Sequence, residues 1–563
     1  MVLALAAVAA GACTRADAMG DSGISAGAPA DLIVTGGRVW TGNADAPWAE
    51  AVAVRGERIA AVGSRAEIEA LADEDTRVID AAGGLVTPGF IDAHVHFIDG
   101  GERLASVQLR DAESPEEFAR RIGEFAATLP PGTWILGGDW DHTLWDGGLP
   151  RRDWIDSLTA EHPVLVQRLD GHMGLANTAA LETAGVDAST PDLEGGEIVR
   201  GADGAPTGVL KDNAMGLVWP VVPDAPEVQQ DRFLDAAMAR VAERGVTSVH
   251  NVGGWGDLAI FRRAHEARRL DVRIYACTPL ASWERQRDEV TEYGRGDDWL
   301  RIGCVKGFVD GSLGSHTAAF LEPFTDAPGE RGLLVDAPDD LRRWIAGADA
   351  AGLQVAVHAI GDRANRLLLD IYEAVAAAAE VPRSAIDRRF RIEHAQHLHP
   401  DDIPRFAELG VIASVQPYHA IDDGRWAEEV IGPERARTTY AFRSLLEAGA
   451  RVAFGSDWYV APPAPLEGIY AAVARQTLDG ANPDGWVPEQ KITVEEALAA
   501  YTRDAAYASF EEDVKGTVEP GKLADLVVLD RDITAISPEE IAGAAVRTTI
   551  VGGRIVWPAA DNN

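Results

Sequence analysis

Two histidines, His94 and His96, stand one residue apart at the end of the apolar run 84–91. The run is typical of a buried strand, and side chains at positions i and i+2 of a strand point to the same face. Neutral imidazole is a common ligand for zinc and similar metals, so two rings on one face can bind one ion. The alternative is a pair of half-buried histidines with ordinary hydrogen bonds, and the rest of the chain must decide between the two.

Further residues of the types that bind metals or move protons also end apolar runs. Five later runs end in or beside such residues: Lys306 and Asp310, His358, Glu393 and His394, Gln416 and His419, and Asp457. A single residue of this kind would be unremarkable, but five runs that end in the same way form a constellation. The pattern predicts a metal site assembled from the ends of separate strands.

The elements that must position these residues form an alternating series. Eight apolar runs predict strands, and amphipathic segments between them predict helices; the runs are 85–96, 247–253, 272–279, 301–310, 354–361, 389–396, 411–418 and 451–457. Strands that alternate with helices indicate a parallel sheet, and eight such units predict an α/β fold, the (β/α)8 TIM barrel. The active site of such a barrel lies at the C-terminal ends of its strands, where the candidate residues stand.

The two ends of the chain resemble each other and predict a second unit. Residues 33–40, "IVTGGRVW", are echoed by residues 550–557, "IVGGRIVW". Strands this short need partners to bury their apolar faces, so we expect 30–84 and 511–563 to form one small β-sandwich. The barrel would then occupy 85–510, and the interval 97–230, too long for one helix, predicts a subdomain inserted after the first barrel strand.

Size and charge limit the classes of partner. The chain has 563 residues, more than the usual single domain of about 50–250 residues. Its net charge is −38, from 89 acidic and 51 basic residues, and such a surface repels nucleic acid and anionic lipid. The sequence therefore favours a small-molecule substrate, excludes nucleic acid as an expected partner and leaves a homo-oligomer open.

The three cysteines divide into two kinds. Cys277 and Cys304 lie in apolar strand-like runs and are interpreted as small core residues, which excludes a Cys-x-x-Cys metal site. Cys13 follows the short apolar stretch "MVLALAAVAAGA", which resembles a bacterial lipoprotein signal, although no Lys or Arg precedes it. Residues 1–29 are therefore predicted to be a signal and tether of an exported protein, periplasmic or anchored to the membrane by a lipid on Cys13. The alternative is a cytoplasmic protein with a frayed N-terminus.

From about residue 30 to 558 the chain resembles the metal-dependent amidohydrolase superfamily, specifically amidohydrolase family 3, which includes YtcJ-like proteins and N-substituted formamide deformylases. The motifs that carry the resemblance are "PGFIDAHVH", "DGHMGLANTAAL", "PTGVLKDNA", "GVTSVHN", "VKGFVDGSLGSHTA", "VAVHAIGDRA", "RIEHAQ", "SVQPYH" and "VAFGSDW". The combination is specific, whereas any one motif alone would not be. The resemblance implies a barrel hydrolase that acts on carbon–nitrogen bonds other than peptide bonds.

The resemblance also implies a ligand set. His94 and His96 would bind one metal with Asp457, and His358 and His394 would bind a second. Lys306 stands where relatives with two metals carry a lysine carboxylated by CO2, whose carbamate bridges the ions. The alternative is an unmodified lysine beside a single metal. Zinc is the expected metal, as one or two ions, and a cysteine ligand is not expected because Cys304 is assigned to packing.

The predicted chemistry is hydrolysis. A bound metal lowers the pKa of water toward about 7, so hydroxide is available at neutral pH, and the metal polarises the scissile carbonyl. Asp457 would orient the water, take its proton and pass it to the leaving amine. The resemblance to formamide deformylases implies a small N-acyl or N-formyl substrate.

Four further residues are candidates for substrate binding: Asp170, His172, His419 and Asp310. Asp170 and His172 come from the inserted segment and could close over the barrel mouth. His419 could bind the substrate or the oxyanion. For Asp310 the alternative is a structural role, in which the side chain only caps the turn at Gly311.

Two other functions stay open on the sequence. The same hydroxide would attack ester or lactone bonds. A non-catalytic solute- or metal-binding lipoprotein is the alternative from another class, and Asp457 argues against it because a binding module has little need of a proton shuttle.

Overall fold

The computed structural model describes residues 28–145, 147–378 and 387–558, so Cys13 and almost all of the predicted signal and tether lie outside the described residues. The strands are β1 Leu32–Thr35, β2 Arg38–Trp40, β3 Trp48–Ala49, β4 Ala51–Arg55, β5 Arg58–Gly63, β6 Arg77–Asp80, β7 Leu85–Pro88, β8 Phe90–Val95, β9 Val107–Gln108, β10 Ile135–Trp140, β11 Val164–Arg168, β12 Met173–Ala176, β13 Gly196–Arg200, β14 Pro206–Asp212, β15 Val246–Asn251, β16 Arg273–Pro279, β17 Leu300–Phe308, β18 Gln354–Ala359, β19 Arg391–His394, β20 Ile412–Val415, β21 Arg451–Phe454, β22 Leu526–Leu529, β23 Val546–Val551 and β24 Arg554–Trp557.

The helices lie mainly between the strands of the central sheet and cover it on the outside, whereas the first, third and fourth helices pack on the other sheets. The helices are α1 Arg65–Glu69, α2 Phe97–Arg103, α3 Pro115–Ala126, α4 Thr178–Ala184, α5 Glu227–Glu243, α6 Trp255–Glu266, α7 Trp283–Tyr293, α8 Pro338–Ala350, α9 Asp362–Ala378, α10 Ile403–Leu409, α11 Pro417–Asp423, α12 Ala427–Ile431, α13 Pro433–Ala436, α14 Phe442–Glu447, α15 Pro465–Ala474, α16 Val494–Ala500, α17 Arg503–Ala508 and α18 Pro538–Ile541. None of the helices in the described part of the chain is long and apolar enough to span a membrane.

The central sheet is the predicted barrel. Its eight strands follow one another in the order β8, β15, β16, β17, β18, β19, β20 and β21. Every neighbouring pair is parallel, and the strands are buried over nearly their whole length because helices cover the outer face. The (β/α)8 fold predicted from the alternating runs is therefore confirmed.

The first and last barrel strands meet at the end where the candidate residues lie. The backbone N–H of Asp457 donates to the carbonyl of His94 at 2.7 Å, and the N–H of His96 donates to the carbonyl of Trp458 at 2.7 Å. These bonds join the segment after β21 to the segment after β8. The closure thus brings two distant parts of the candidate site together.

The chain ends pair as their similarity predicts. One sheet runs in the order β24, β23, β22, β7, β2, β3, so three strands from the C-terminal end join three from the N-terminal end at the β22–β7 pair. A four-stranded sheet of β5, β4, β1 and β6 accompanies it. Apolar residues of both sheets, among them Val34, Val54, Val86 and Val528, form one buried cluster. The small β-sandwich is therefore the second unit of the fold.

The segment after β8 forms a subdomain with a sheet of its own. Six strands lie in the order β13, β14, β12, β11, β10, β9, and most of the pairs are antiparallel or short. Phe118 of α3 packs on Trp140 and Trp145 in a separate core, so the two tryptophans are packing residues. The inserted subdomain predicted from the long interval is present.

The first predicted strand, 85–96, is wrong as a single element. It is two strands, β7 in the sandwich and β8 in the barrel, which are separated at Gly89. A Cβ atom at Gly89 would lie 2.2 Å from the hydroxyl oxygen of Thr247, so only glycine fits where the chain passes from one unit to the other. A continuous apolar run does not reveal such a division, because both halves are buried.

Cys277 and Cys304 are buried core residues as interpreted, but they are also bonded to each other, which the sequence did not indicate. The two residues are register partners on β16 and β17 and form a disulfide. They lie 27 residues apart in sequence, and only the register of two parallel strands makes them neighbours. Cys304 is completely buried among apolar residues, in agreement with its assignment to packing.

Candidate metal centre and active site

His94 is held in one orientation by a buried carboxylate. Its Nδ1 donates to Oε2 of Glu393 at 2.5 Å, and both side chains are fully buried. Because Nδ1 carries the hydrogen, the lone pair is on Nε2, which lies 3.4 Å from Oδ1 of Asp457 and 3.4 Å from Nζ of Lys306. His94 therefore presents a ligand atom toward Asp457 and Lys306.

His394 and Asp457 complete a set of three ligand atoms. One atom each from His94, His394 and Asp457 lies within 4.8 Å of the others. The backbone of His394 has a φ of 72° and that of Asp457 a φ of 59°, a left-handed conformation that is unfavourable for residues with a Cβ. Strain at these two strand ends turns both side chains toward His94.

The donor atoms fit a divalent metal. Oδ1 of Asp457 is buried and lacks a hydrogen-bond partner among the described residues, although Nε2 of His94 and of His96 each lie 3.4 Å away. Burial alone would raise the pKa of Asp457, but His94 and His96 hold it below the usual range. Burial lowers the pKa values of His94, His358 and His394 far below normal, so these imidazoles are neutral and keep their lone pairs.

The other three predicted ligands, His96, Lys306 and His358, lie beside this group of three residues. His96 follows β8 and approaches Asp457, and Lys306 on β17 is buried next to His94. The ring of His358 packs edge-on against His394, with 4.4 Å between the ring centroids, but its Nε2 donates to the carbonyl of Gly311 at 3.0 Å. All six predicted ligands thus converge at one end of the barrel, and three of them form the tight group.

A buried arginine beneath the centre was not singled out from the sequence. Nε of Arg391 donates to Oε1 of Glu393 at 2.8 Å, and its Nη atoms lie near Ala93 O, Ser414 Oγ and His250 Nδ1 at 2.6, 3.2 and 3.1 Å. Arg391 therefore ties four barrel strands together and fixes the carboxylate that orients His94. The alternation in "RIEH" places Arg391 and Glu393 on one face, and this was the available signal.

The inserted subdomain contributes Asp170 and His172, and each has a partner that the sequence did not identify. Nδ1 of His172 donates to Oδ1 of Asp212 at 2.6 Å, and Asp170 accepts from Arg168 at 2.7 Å. Burial alone would lower the pKa of His172, but the Asp212 carboxylate raises it above the ordinary value. The His172 ring lies 5.0 Å, centroid to centroid, from that of His358.

Asp310 is an anchor for the backbone and lies away from the open cavity. It is completely buried, and its two oxygens accept from the N–H groups of Ala319, Ile360 and Gly361 at 2.7, 3.0 and 2.9 Å. These contacts support the structural alternative for Asp310 over substrate binding. His419 does line the cavity, and its Nε2 has no hydrogen-bond partner within the described residues.

A cavity of about 50 Å³ opens above the three ligand residues. Its wall includes Asp457, His394 and His358 from the barrel and Asp170 and His172 from the inserted subdomain. Apolar residues also line it, namely Leu169, Leu313, Ile360, Trp426 and Val460.

A barrel that gathers neutral histidines around a buried aspartate beneath such a cavity defines the class of metal-dependent (β/α)8 hydrolases. The chain belongs to the Amidohydrolase family, whose model matches residues 77–557. The protein is accordingly an enzyme, a hydrolase of carbon–nitrogen bonds other than peptide bonds.

Curated proteins with similar sequences cover nearly the whole chain. Protein LONG AFTER FAR-RED 3 of Arabidopsis thaliana is 40% identical over 95% of this chain and 92% of its own length. Putative amidohydrolase YtcJ of Bacillus subtilis is 32% identical, covering 93% of this chain and 98% of its own. N-substituted formamide deformylase of Arthrobacter pascens is 30% identical, with coverage of 93% and 97%.

A solved structure shares the architecture. An uncharacterized metal-dependent hydrolase from Pyrococcus horikoshii superimposes with a TM-score of 0.73 and 26% identity, over 90% of this chain and 99% of that one. The fold class and the family predicted from the motifs are confirmed.

Proposed function

We propose that the enzyme hydrolyses the amide-type bond of a small N-acyl or N-formyl compound with the help of bound divalent zinc. The observation that carries the proposal is the group of His94, His394 and Asp457, whose ligand atoms lie within 4.8 Å of one another at the base of a cavity. The similarity to an N-substituted formamide deformylase supports the choice of substrate.

His94, His394 and Asp457 would hold the metal, with His96 beside them. When bound, the metal supplies Lewis acidity toward the substrate carbonyl and lowers the pKa of water. Oδ1 of Asp457 has no hydrogen-bond partner in the described chain and is ionised, so it can accept a proton from the attacking water and donate it to the leaving nitrogen. Glu393 keeps the hydrogen of His94 on Nδ1 throughout.

Residues above the centre hold the substrate. His172 and His419 face the cavity from opposite elements, the inserted subdomain and α11. Nε2 of either ring can donate to the substrate carbonyl oxygen, and the Asp212 contact orients His172 for this role. Arg168 fixes Asp170 at the rim of the same wall.

We further propose that Lys306 carries a carbamate that bridges two metal ions. Lys306 is 4% exposed, and its Nζ lies 3.4 Å from Nε2 of His94. An ammonium group beside a divalent ion would be repelled, whereas a carbamate supplies two anionic oxygens. Burial lowers the pKa of Lys306 to about 8, which favours the neutral amine that reacts with CO2.

Chelation followed by reconstitution tests the proposed function. Metal-free enzyme should lose turnover of N-formyl amines and regain it with Zn²⁺, and His94→Ala should abolish it while circular dichroism stays unchanged. His265→Ala, which changes a histidine remote from the cavity, is the matched control. Turnover of matching esters alone would indicate an esterase, and tight binding without turnover of any compound would indicate a binding protein.

We also propose that the protein is exported. The signal-like sequence before Cys13 is the first support. The Cys277–Cys304 disulfide is the second, because disulfides persist mainly in oxidising compartments outside the cytosol.

A further inference from the structure

The outer wall of the cavity carries more carboxyl groups than guanidinium groups. Four carboxylates line it, and only two guanidinium groups accompany them in the described lining: Asp141, Asp170, Asp422 and Asp423 against Arg168 and Arg425. At the base of the same cavity lies Asp457, which is 6% exposed and whose Oδ1 has no hydrogen-bond partner among the residues that the structure describes. The base of the cavity, where Asp457 lies, and the outer wall with its four aspartates are thus parts of one cavity.

Both arginines are already engaged by aspartates of the wall. Arg168 is completely enclosed and pairs with Asp170 at 2.7 Å and with Asp141 at 3.2 Å. Arg425 pairs with Oδ1 of Asp422, and its Nη2 lies 3.8 Å from Oδ2 of Asp141. A carboxylate on a substrate would therefore meet aspartates beside two guanidinium groups that the wall already engages, which costs free energy in a desolvated site.

A positively charged group on a substrate would find hydrogen-bond acceptors on the same outer wall of the cavity. Each ionised carboxylate has about four positions at which it can accept hydrogen bonds, so the wall can accept more than its internal contacts use. Asp423 accepts from the hydroxyl of Tyr440 at 2.5 Å and from Gln396 at 3.0 Å. Trp426 lines the cavity beside these aspartates, and an indole face attracts a cation.

We propose that the enzyme selects substrates with an ammonium group beyond the scissile bond and discriminates against those with a carboxylate there. The substrate class is then a diamine acylated on one nitrogen, held by its free ammonium at Asp422 and Asp423. This inference rests on the proposed N-acyl hydrolysis. Burial raises the pKa of Asp423 to about 7, and a bound ammonium would favour its ionised form.

Three N-formyl substrates on one scaffold test the inference. They are N-formylbenzylamine, the mono-N-formyl derivative of 1,4-bis(aminomethyl)benzene and N-formyl-4-(aminomethyl)benzoate, which differ in charge at one position. We expect kcat/KM to fall in the order cation, neutral, anion, with about a 10-fold or larger difference between cation and anion. Equal values for all three, or a preference for the anion, would overturn the charge selection and leave the hydrolase proposal intact.

The variant Asp422→Asn tests whether the carboxylate of Asp422 causes the preference for the cationic substrate. The change frees Arg425 from its partner, so the preference for the cation should fall and the anionic substrate should improve. Glu429→Gln removes one exposed negative charge from α12 outside the cavity and should keep the wild-type order. Asp423→Asn is the second variant if Asp422→Asn does not fold, and an unchanged order in both variants would contradict the assignment.

Binding of the product amines distinguishes a failure of the proposed hydrolysis from a failure of the proposed charge selection. If none of the N-formyl compounds is hydrolysed, the proposed function fails, and calorimetry with 1,4-bis(aminomethyl)benzene, benzylamine and 4-(aminomethyl)benzoate still measures the charge preference. Tightest binding of the diamine would support the acidic wall as a cation site. Equal binding of the three amines, or none, would refute it.

Discussion

At the scale of single residues, the centre depends on which nitrogen of each histidine carries the hydrogen. Glu393 accepts a hydrogen bond from Nδ1 of His94, and Gln416 Oε1 lies 2.8 Å from Nδ1 of His394. Both rings therefore keep a lone pair on Nε2. The ability of His94 and His394 to bind a metal therefore depends on these buried acceptors as much as on the two rings themselves.

Glu393→Gln should weaken metal binding by about 10- to 100-fold, because the charge that orients His94 and raises its basicity is lost. Competition with a chromogenic chelator measures the affinity, at a temperature where circular dichroism shows both proteins folded. Glu373→Gln, an exposed glutamate on α9, is the control. Unaltered affinity in Glu393→Gln would show that the contact does not position His94.

Lys306→Ala should cost one metal ion and most of the rate together if a carbamate bridges two ions. Acetate or propionate could enter the vacated space and restore part of both, because a short carboxylate supplies the same two anionic oxygens. Metal analysis and turnover with and without acid measure the effect. Retention of the metals and of the rate would contradict the bridge and leave a reaction at a single metal.

At the scale of elements, the strand ends are positioned by backbone contacts between neighbouring loops. Asp310 at the end of β17 accepts N–H groups from residues after β18 and from the loop at Ala319. It also lies 3.6 Å from Nε2 of His358. The loop over the cavity and the strand that carries His358 are therefore held as one piece.

Asp310→Asn should lower the free energy of unfolding by about 1–3 kcal/mol, because an amide nitrogen would face N–H groups that need an acceptor. Urea denaturation measures this, and limited proteolysis reports whether the loop opens. Asp45→Asn, on the exposed surface of the sandwich, should change neither. A wild-type denaturation curve for Asp310→Asn would contradict the anchoring role.

At the scale of the whole molecule, the cavity needs both the barrel and the inserted subdomain. The barrel provides His94, His394 and Asp457, and the subdomain provides the wall of Asp170 and His172. The net charge of −38 extends the acidic character of that wall over the protein. Substrates of positive charge are therefore favoured on approach as well as in the cavity.

Cys13→Ser should move the protein from the membrane fraction to the soluble exported fraction if the lipoprotein signal is used. A protein with a multiply acylated cysteine is anchored firmly, whereas one without acyl chains is released. Fractionation and immunoblotting measure the distribution. Ser22→Ala, in the tether, is the control, and identical fractionation of Cys13→Ser and the native protein would contradict lipid anchoring.

The sequence by itself determined the barrel, the sandwich and the strand ends at which the metal ligands stand. Hydrophobic periodicity and strand–helix alternation are local properties, and in a parallel barrel they suffice to place His94, Lys306, His394 and Asp457 at one end. The resemblance to the amidohydrolase superfamily then implied which of these residues are ligands, so the predicted ligands could be named before any contact was known.

Only the tertiary structure decided the contacts between residues far apart in the chain. The Cys277–Cys304 disulfide depends on strand register, the division at Gly89 on the close approach of Thr247, and the anchoring role of Asp310 on loops that meet in space. The pairs Glu393–His94 and Asp212–His172 join residues 299 and 40 positions apart. Such pairings are set by the closure of the barrel and the docking of the subdomain, because hydrogen bonds depend on distance and direction, which local sequence patterns do not specify.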